Sequence, residues 1–303
     1  MSNGDVKGQH YVPRTYLKRF SVGRNSEFYI KRAFKKDFKD SIIDEINIAK
    51  ICRQNHLYTL EGDTSEKRMI IEKFYSNEIE IHYERIYQLL VDPNKNSLSS
   101  EERELIIATV VTMLFRTPKL PNQLTKFMND IIERSYKWCK QNNKEYYIDN
   151  KRKVVITGKS LEQVQKEEKE RSRLGTILTQ FDLALRCIQI RTSRDRIQVI
   201  KINGDLGFIT SDNPVACVNP GTRIIAPFDP TNILKLPLDN NHLLCLYPGD
   251  YKETELMIFR DTNHMDFNRK IASNSHQLNN AERFLLGRED SIKDFQTIIK
   301  STQ

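Results

Sequence analysis

The spacing of apolar positions divides the chain into three stretches. Residues 1–60 alternate short apolar runs with basic residues. Residues 28–30 read as a strand, and 56–60 as another after a polar turn at Arg53-Gln54-Asn55. From 65 to 91 the period lengthens. Ile70, Ile71, Phe74, Tyr75, Ile79, Tyr83, Ile86 and Leu90 recur at three- and four-residue steps, which predicts one amphipathic helix ended by Asp92-Pro93-Asn94. Ser99 and Glu102 have capping-box spacing. The apolar run after them predicts a core helix to about Arg116, stopped at Thr117-Pro118 because a residue before proline avoids the helical region. Helices are also predicted near 122–140 and 160–191, with a hairpin (146–148 and 154–156) between them. The last third reads as strands at 196–202, 207–210, 224–226, 233–238 and 243–246, a helix at about 266–286 and a polar tail. This order predicts one α+β domain over 1–303: N-terminal strands in 1–60, a helical layer in 65–191, and strands plus a helix in 195–290. The helical middle packs against a mixed sheet shared by the two ends.

Composition narrows the function classes. The chain has 303 residues, a hydrophobic content of 38% and 26 Phe and Tyr, enough for a real core. No apolar run approaches the roughly 18 residues a membrane-spanning helix needs, so no membrane role is expected. The N-terminal stretch lacks the apolar run of a signal peptide. Five Cys, widely spaced and without a C-x-x-C pair, argue against a disulfide framework or zinc ribbon and for reduced thiols in the cytoplasm. The formal net charge is +8, and residues 1–39 alone carry +7 (ten Lys and Arg against three acids). Residues 61–104 carry −5. So uneven a distribution points to a polyanion-facing N-terminal surface, or to an acidic helix that meets a protein partner or a second copy of the chain.

Two segments concentrate chemistry. Residues 9–20 hold His10, Tyr11, Arg14, Tyr16 and Arg19. Imidazole relays protons near neutrality and guanidinium holds phosphate. The bland reading makes the aromatics core residues and the arginines solvated. The second segment is an apolar strand running into Ser211-Asp212-Asn213-Pro214, where Asp212 suits a general base, a metal ligand or the orienter of an imidazole. Its bland reading is an Asx-turn. Glu78 and His82 share a helix face without an H-E-x-x-H motif, so no metal is assigned. His264 with Asp261 and Asp266, and His276 near Asn274, offer polar contacts that no spacing requires. The basic set Arg186, Arg191, Arg194, Arg196 and Lys201 would rim a site if it reached Arg14 and Arg19. No P-loop, dinucleotide-binding or nucleophile-elbow motif is present, and the cofactor is unknown.

The block His10-Tyr11-Val12-Pro13-Arg14 with Tyr16, Leu17 and Phe20, and the later Ile209-Thr210-Ser211-Asp212-Asn213-Pro214-Val215, resemble the two signature blocks of a bacterial family, domain of unknown function 4238. Residues 57–59 and Phe115-Arg116-Thr117-Pro118 are similar as well, as is the stretch 268–284. The resemblance spans nearly the whole chain and supplies boundaries and candidate residues but no reaction. It raises the weight of a polar site shared by His10 and Asp212. The resulting expectation is an enzyme acting on a phosphate-bearing substrate, a nuclease cutting RNA or DNA, in a setting such as phage defence or a toxin. His10, Asp212, Arg14 and Asn213 would be catalytic, and Tyr11, Tyr16, Arg19, Ser211 and Arg116 would bind substrate. The alternative is a non-catalytic module that binds nucleic acid or a protein.

Overall fold

The structure, a computed structural model, describes residues 8–204, 206–222, 226–249, 256–261 and 267–301. Residues 224 and 225 of one expected strand, His264 and Asp266 lie outside them. In chain order the elements are β1 (Gly8–His10), α1 (Arg14–Leu17), β2 (Val22–Arg24), β3 (Glu27–Phe34), β4 (Asp44–Asn47), β5 (Arg53–Asn55), α2 (Ser65–Arg68), α3 (Ile70–Phe74), α4 (Tyr83–Val91), α5 (Ser100–Phe115) and α6 (Lys119–Gln141). Then come β6 (Tyr146–Asp149), β7 (Arg152–Val155), α7 (Leu161–Thr192), β8 (Arg196–Lys201), β9 (Thr210–Ser211), β10 (Ala216–Val218), β11 (Ile233–Pro237), β12 (His242–Tyr247), β13 (Ile258–Asp261), α8 (Phe267–Asn280), β14 (Phe284–Gly287) and α9 (Glu289–Ser301). The protein is α+β, with a helical middle and sheets built from the two ends.

By internal contacts the chain divides into two compact units, the smaller being Pro118–Asp182. Within the larger unit, a first sheet has the order β2-β3-β14-β9, with β4 also on β3. Strands from both ends of the chain therefore share it, as the sequence led us to expect. Its pairings are all antiparallel. The mixed sheet is the other one, β10-β11-β12-β8-β13, in which only the β13–β8 pairing is parallel. Ala33, Phe38, Ile209, Leu285, Ile292 and Phe295 form the buried core against the first sheet. In the smaller unit Ile132, Cys139, Val154, Ile156 and Val164 pack α6 and the start of α7 around the β6–β7 hairpin.

Several elements differ from expectation, among them the strand expected at 207–210, of which only Thr210 is kept, in β9. Residues 53–55, read as a turn, form β5 and pair with β1, and 56–60 are not a strand. His56 takes a positive φ of 53°, which ends extended backbone there. The expected helix over 65–91 is interrupted. Residues 75–79 form a π turn and 80–82 a 3-10 turn between α3 and α4. The wider turn sets Glu80 against Arg116, and such turns recur at functional sites. The closing helix stops at Asn280. Phe284-Leu285-Leu286-Gly287 is then a strand buried on both faces, and α9 replaces the expected polar tail. The capping box is formed: Ser99 Oγ accepts from the Glu102 amide at 3.1 Å, and Glu102 Oε2 accepts from the Ser99 amide at 2.9 Å.

Candidate phosphate site at the β1–β5 ribbon

The β1–β5 register sets His10 directly opposite Arg53, so the two side chains share a face. Arg14, exposed at the start of α1, lies close enough to act on the ring electrostatically, as does Arg116. Burial and these three cations depress the His10 pKa from 6.5 to about 4, although the Ile48 carbonyl works the other way. The ring is neutral at pH 7. Its Nε2 is buried and has no hydrogen-bond partner among the described residues. Arg14 and Arg53 make no ion pair among the described residues. Arg53 donates to the Ala49 carbonyl at 3.4 Å. A neutral imidazole beside exposed guanidiniums that carry no ion pair among the described residues is suited to receive an anion.

Arg116, expected to bind substrate, is buried and engaged. It donates to Glu80 Oε1 at 2.7 Å and to the His10 carbonyl at 2.6 Å, and it lies 4.6 Å from the Tyr75 ring centre. The Tyr58 hydroxyl donates to its carbonyl. Gln9 accepts from the Tyr58 amide at 2.7 Å. Arg116 thus fixes the His10 backbone, and its charge reaches the ring from behind.

The second signature block meets the first, through residues other than His10. The Tyr16 hydroxyl lies 2.6 Å from Thr210 Oγ1 and donates to the Pro237 carbonyl at 2.9 Å. Asp212 makes no hydrogen bond to His10 among the described residues. Its Oδ1 accepts from the Glu282 amide at 2.9 Å and its Oδ2 from the Arg283 amide at 2.8 Å. Burial pushes its carboxyl up, while those amides pull it back down. Its charge, together with burial, raises the neighbouring Tyr11 and Cys52. Asn213 accepts from Thr117 at 2.7 Å and donates to the Asn280 carbonyl at 3.1 Å. Ser211 Oγ joins Gln277 and the Asn213 carbonyl, both at 2.9 Å. Asp212, Asn213 and Ser211 are therefore tied into the fold. Arg19 is paired with Glu84 and stacked 3.8 Å from the Tyr87 ring centre. Arg191 of the second basic stretch is buried against Asp195.

Two features were not singled out from the sequence, and a third, the polar row on α8, was marked only through its asparagines near His276. Arg53 hid in a tripeptide read as a turn. On α8, Asn274, Gln277 and Asn280 hold the backbone of Gly207, Ile209, Asn213, Pro214 and Val215. Their i, i+3, i+6 spacing was the available signal. Asp239 accepts from Tyr87 at 2.6 Å and lies 2.9 Å from His242 Nδ1, within one local turn. Among the described residues no three His, Cys, Asp or Glu side chains are grouped to hold a metal. No helix there is long and apolar enough to cross a membrane.

The architecture is thus an α+β protein in which two polar blocks, far apart in the chain, are joined beside a cationic ribbon. The chain belongs to the family described as a protein of unknown function, DUF4238, whose model matches residues 8–291. No curated protein and no solved structure matches it.

Proposed function

We propose that this protein binds a phosphate-bearing polyanion, with nucleic acid as its substrate class, at His10, Arg14 and Arg53. The observation that supports this reading is the neutral His10 ring, its Nε2 buried and unpartnered, set opposite Arg53 and near Arg14. Burial is the main cause of the depressed His10 pKa; a phosphodiester placed against the two arginines offsets the charge that adds to it and lies beside Nε2. In cutting, His10 Nε2 takes the proton of an attacking water or 2′-hydroxyl as that oxygen bonds to phosphorus. The P–O bond to the leaving oxygen breaks, the leaving oxygen is protonated from solvent, and Arg14 and Arg53 stabilise the developing charge. The family match covers both compact units, which supports one function for the whole chain. Five cysteines that form no disulfide fit a reducing compartment such as the cytoplasm.

A second reading, a binding module without catalysis, is favoured by the engagement of Asp212 with backbone amides. That leaves His10 without a carboxylate partner. The acidic stretch gives less support to a protein-interaction role, because Glu80, Glu84 and Glu102 are paired to cations of the same chain. Incubating the purified chain with labelled single-stranded RNA and DNA, with and without Mg²⁺, at low and high salt, separates the readings. The substrate reading expects R14Q/R53Q to abolish binding and H10Q to bind without cutting. Binding with no cutting by the native chain selects the module. Salt-insensitive binding, or none, ends both.

A further inference from the structure

The mixed sheet has two unlike faces. Leu234, Leu236, Leu244, Leu246, Ile197 and Val199 are buried on one. The alternate positions form the other face. The register lines up Lys235, Cys245 and Gln198 in one row, with Ile200, Leu243 and Asp261 in the next and Tyr247 beyond. A half-polar sheet face ordinarily meets water. Here α8 roofs it, and a cavity of about 350 Å³ remains between helix and sheet. Its polar lining is Lys235, Gln198, Tyr247 and Asp261 from the strands, with Arg269 and Ser273 from the helix. Lys235 makes no ion pair among the described residues. Arg196 and Arg269 both act on the Tyr247 hydroxyl, and Lys235 acts on His276, one turn along α8 from Ala272. His276 Nδ1 is buried and has no hydrogen-bond partner among the described residues. Two cations in the lining, Lys235 and Arg269, against one carboxylate, with hydroxyl and amide donors between them, select an anion.

We propose that this cavity is a second ligand site, which takes one small phosphorylated molecule with its phosphate on Lys235 and within reach of the Gln198, Tyr247 and Ser273 donors. The volume lies near the lower end of the roughly 300–1,000 Å³ of ligand pockets, room for a small molecule and too little for a nucleic-acid strand. An ammonium that makes no ion pair among the described residues, at the edge of an apolar floor, gains most from a doubly charged phosphate.

The probes are inorganic phosphate, pyrophosphate and adenosine 5′-monophosphate, titrated calorimetrically into the full chain at constant ionic strength. At least one should bind saturably at submillimolar concentration, and K235Q should weaken it about tenfold or more, the loss of one charged hydrogen bond. K235Q is first checked for an unchanged circular dichroism spectrum. Should it not fold, Ala272→Trp at the exposed mouth blocks entry instead. R14Q/R53Q should bind the probe normally, which keeps this outcome separate from that of the polyanion site. No saturable binding by any probe, equal binding by K235Q, or loss of binding in R14Q/R53Q overturns the proposal.

Discussion

His10 and Arg116 show how differently two candidate residues can be used. The His10 pKa of about 4 lies below the ordinary 6.5, so the unfolded chain binds the proton first as pH falls. The stability from the neutral ring is therefore complete above about 6.5 and is lost between 6.5 and about 4. Chemical denaturation across that window should show a slope that H10Q removes. The ring proton shift should titrate near 4, and a bound oligonucleotide should raise that midpoint. At Arg116 the charge is buried beside a partly exposed Glu80. E80Q strands the guanidinium, with an expected cost of about 2–3 kcal/mol in urea unfolding, and E80Q/R116M should regain some of it. The sequence marked both residues by type and block. It could not separate them, because burial and partner identity are set by a π turn and by a pairing with β5 that leave no local trace.

At the scale of elements, α8 acts as a polar clamp on the second signature block. Gln277 donates to the Pro214 carbonyl at 2.8 Å and joins Ser211 at 2.9 Å. Q277L takes this donor from the buried Pro214 carbonyl, while Ser211 keeps the Asn213 carbonyl, and should cost about 1–3 kcal/mol in thermal or urea unfolding. Asp212 anchors the turn that enters β14. D212N can keep one amide bond but turns its own N–H₂ on the other, so it should lose about 1–3 kcal/mol while polyanion affinity stays unchanged. Reduced affinity in folded D212N would restore it to the binding site. Elements with strong punctuation were legible: the Ser99 capping box, the stop at Pro118 and the long helices. The break in 65–91 was hidden because a π turn keeps apolar residues inward. β14 was hidden because Phe284-Leu285-Leu286, buried on both faces, has no period to tell strand from helix.

Across the whole molecule, the N-terminal charge excess is in part compensated within the chain. Arg19, Arg24, Lys31 and Arg32 are paired with acids, and Lys35 donates to the Asn279 and Ala281 carbonyls. Arg14 and Arg53 are the cations left for a ligand beside His10. Each removed phosphate contact should lower the slope of log affinity against log salt by about 1. R14Q/R53Q should thus flatten any residual binding by about two, where a diffuse basic surface would lose far less.

The antiparallel sheet closes only when Phe284 reaches Phe34, some 250 residues later in the chain. On a ribosome adding roughly 5–20 residues per second, β3 waits about 12–50 s for its neighbour. Throughout that interval half of its backbone edge is open, next to Phe34 and the core-facing Ile30 and Ala33. The nascent chain is consequently a client for whatever shields unpaired strands in the cell. A message truncated before Phe284 should yield aggregate, and not a smaller folded protein.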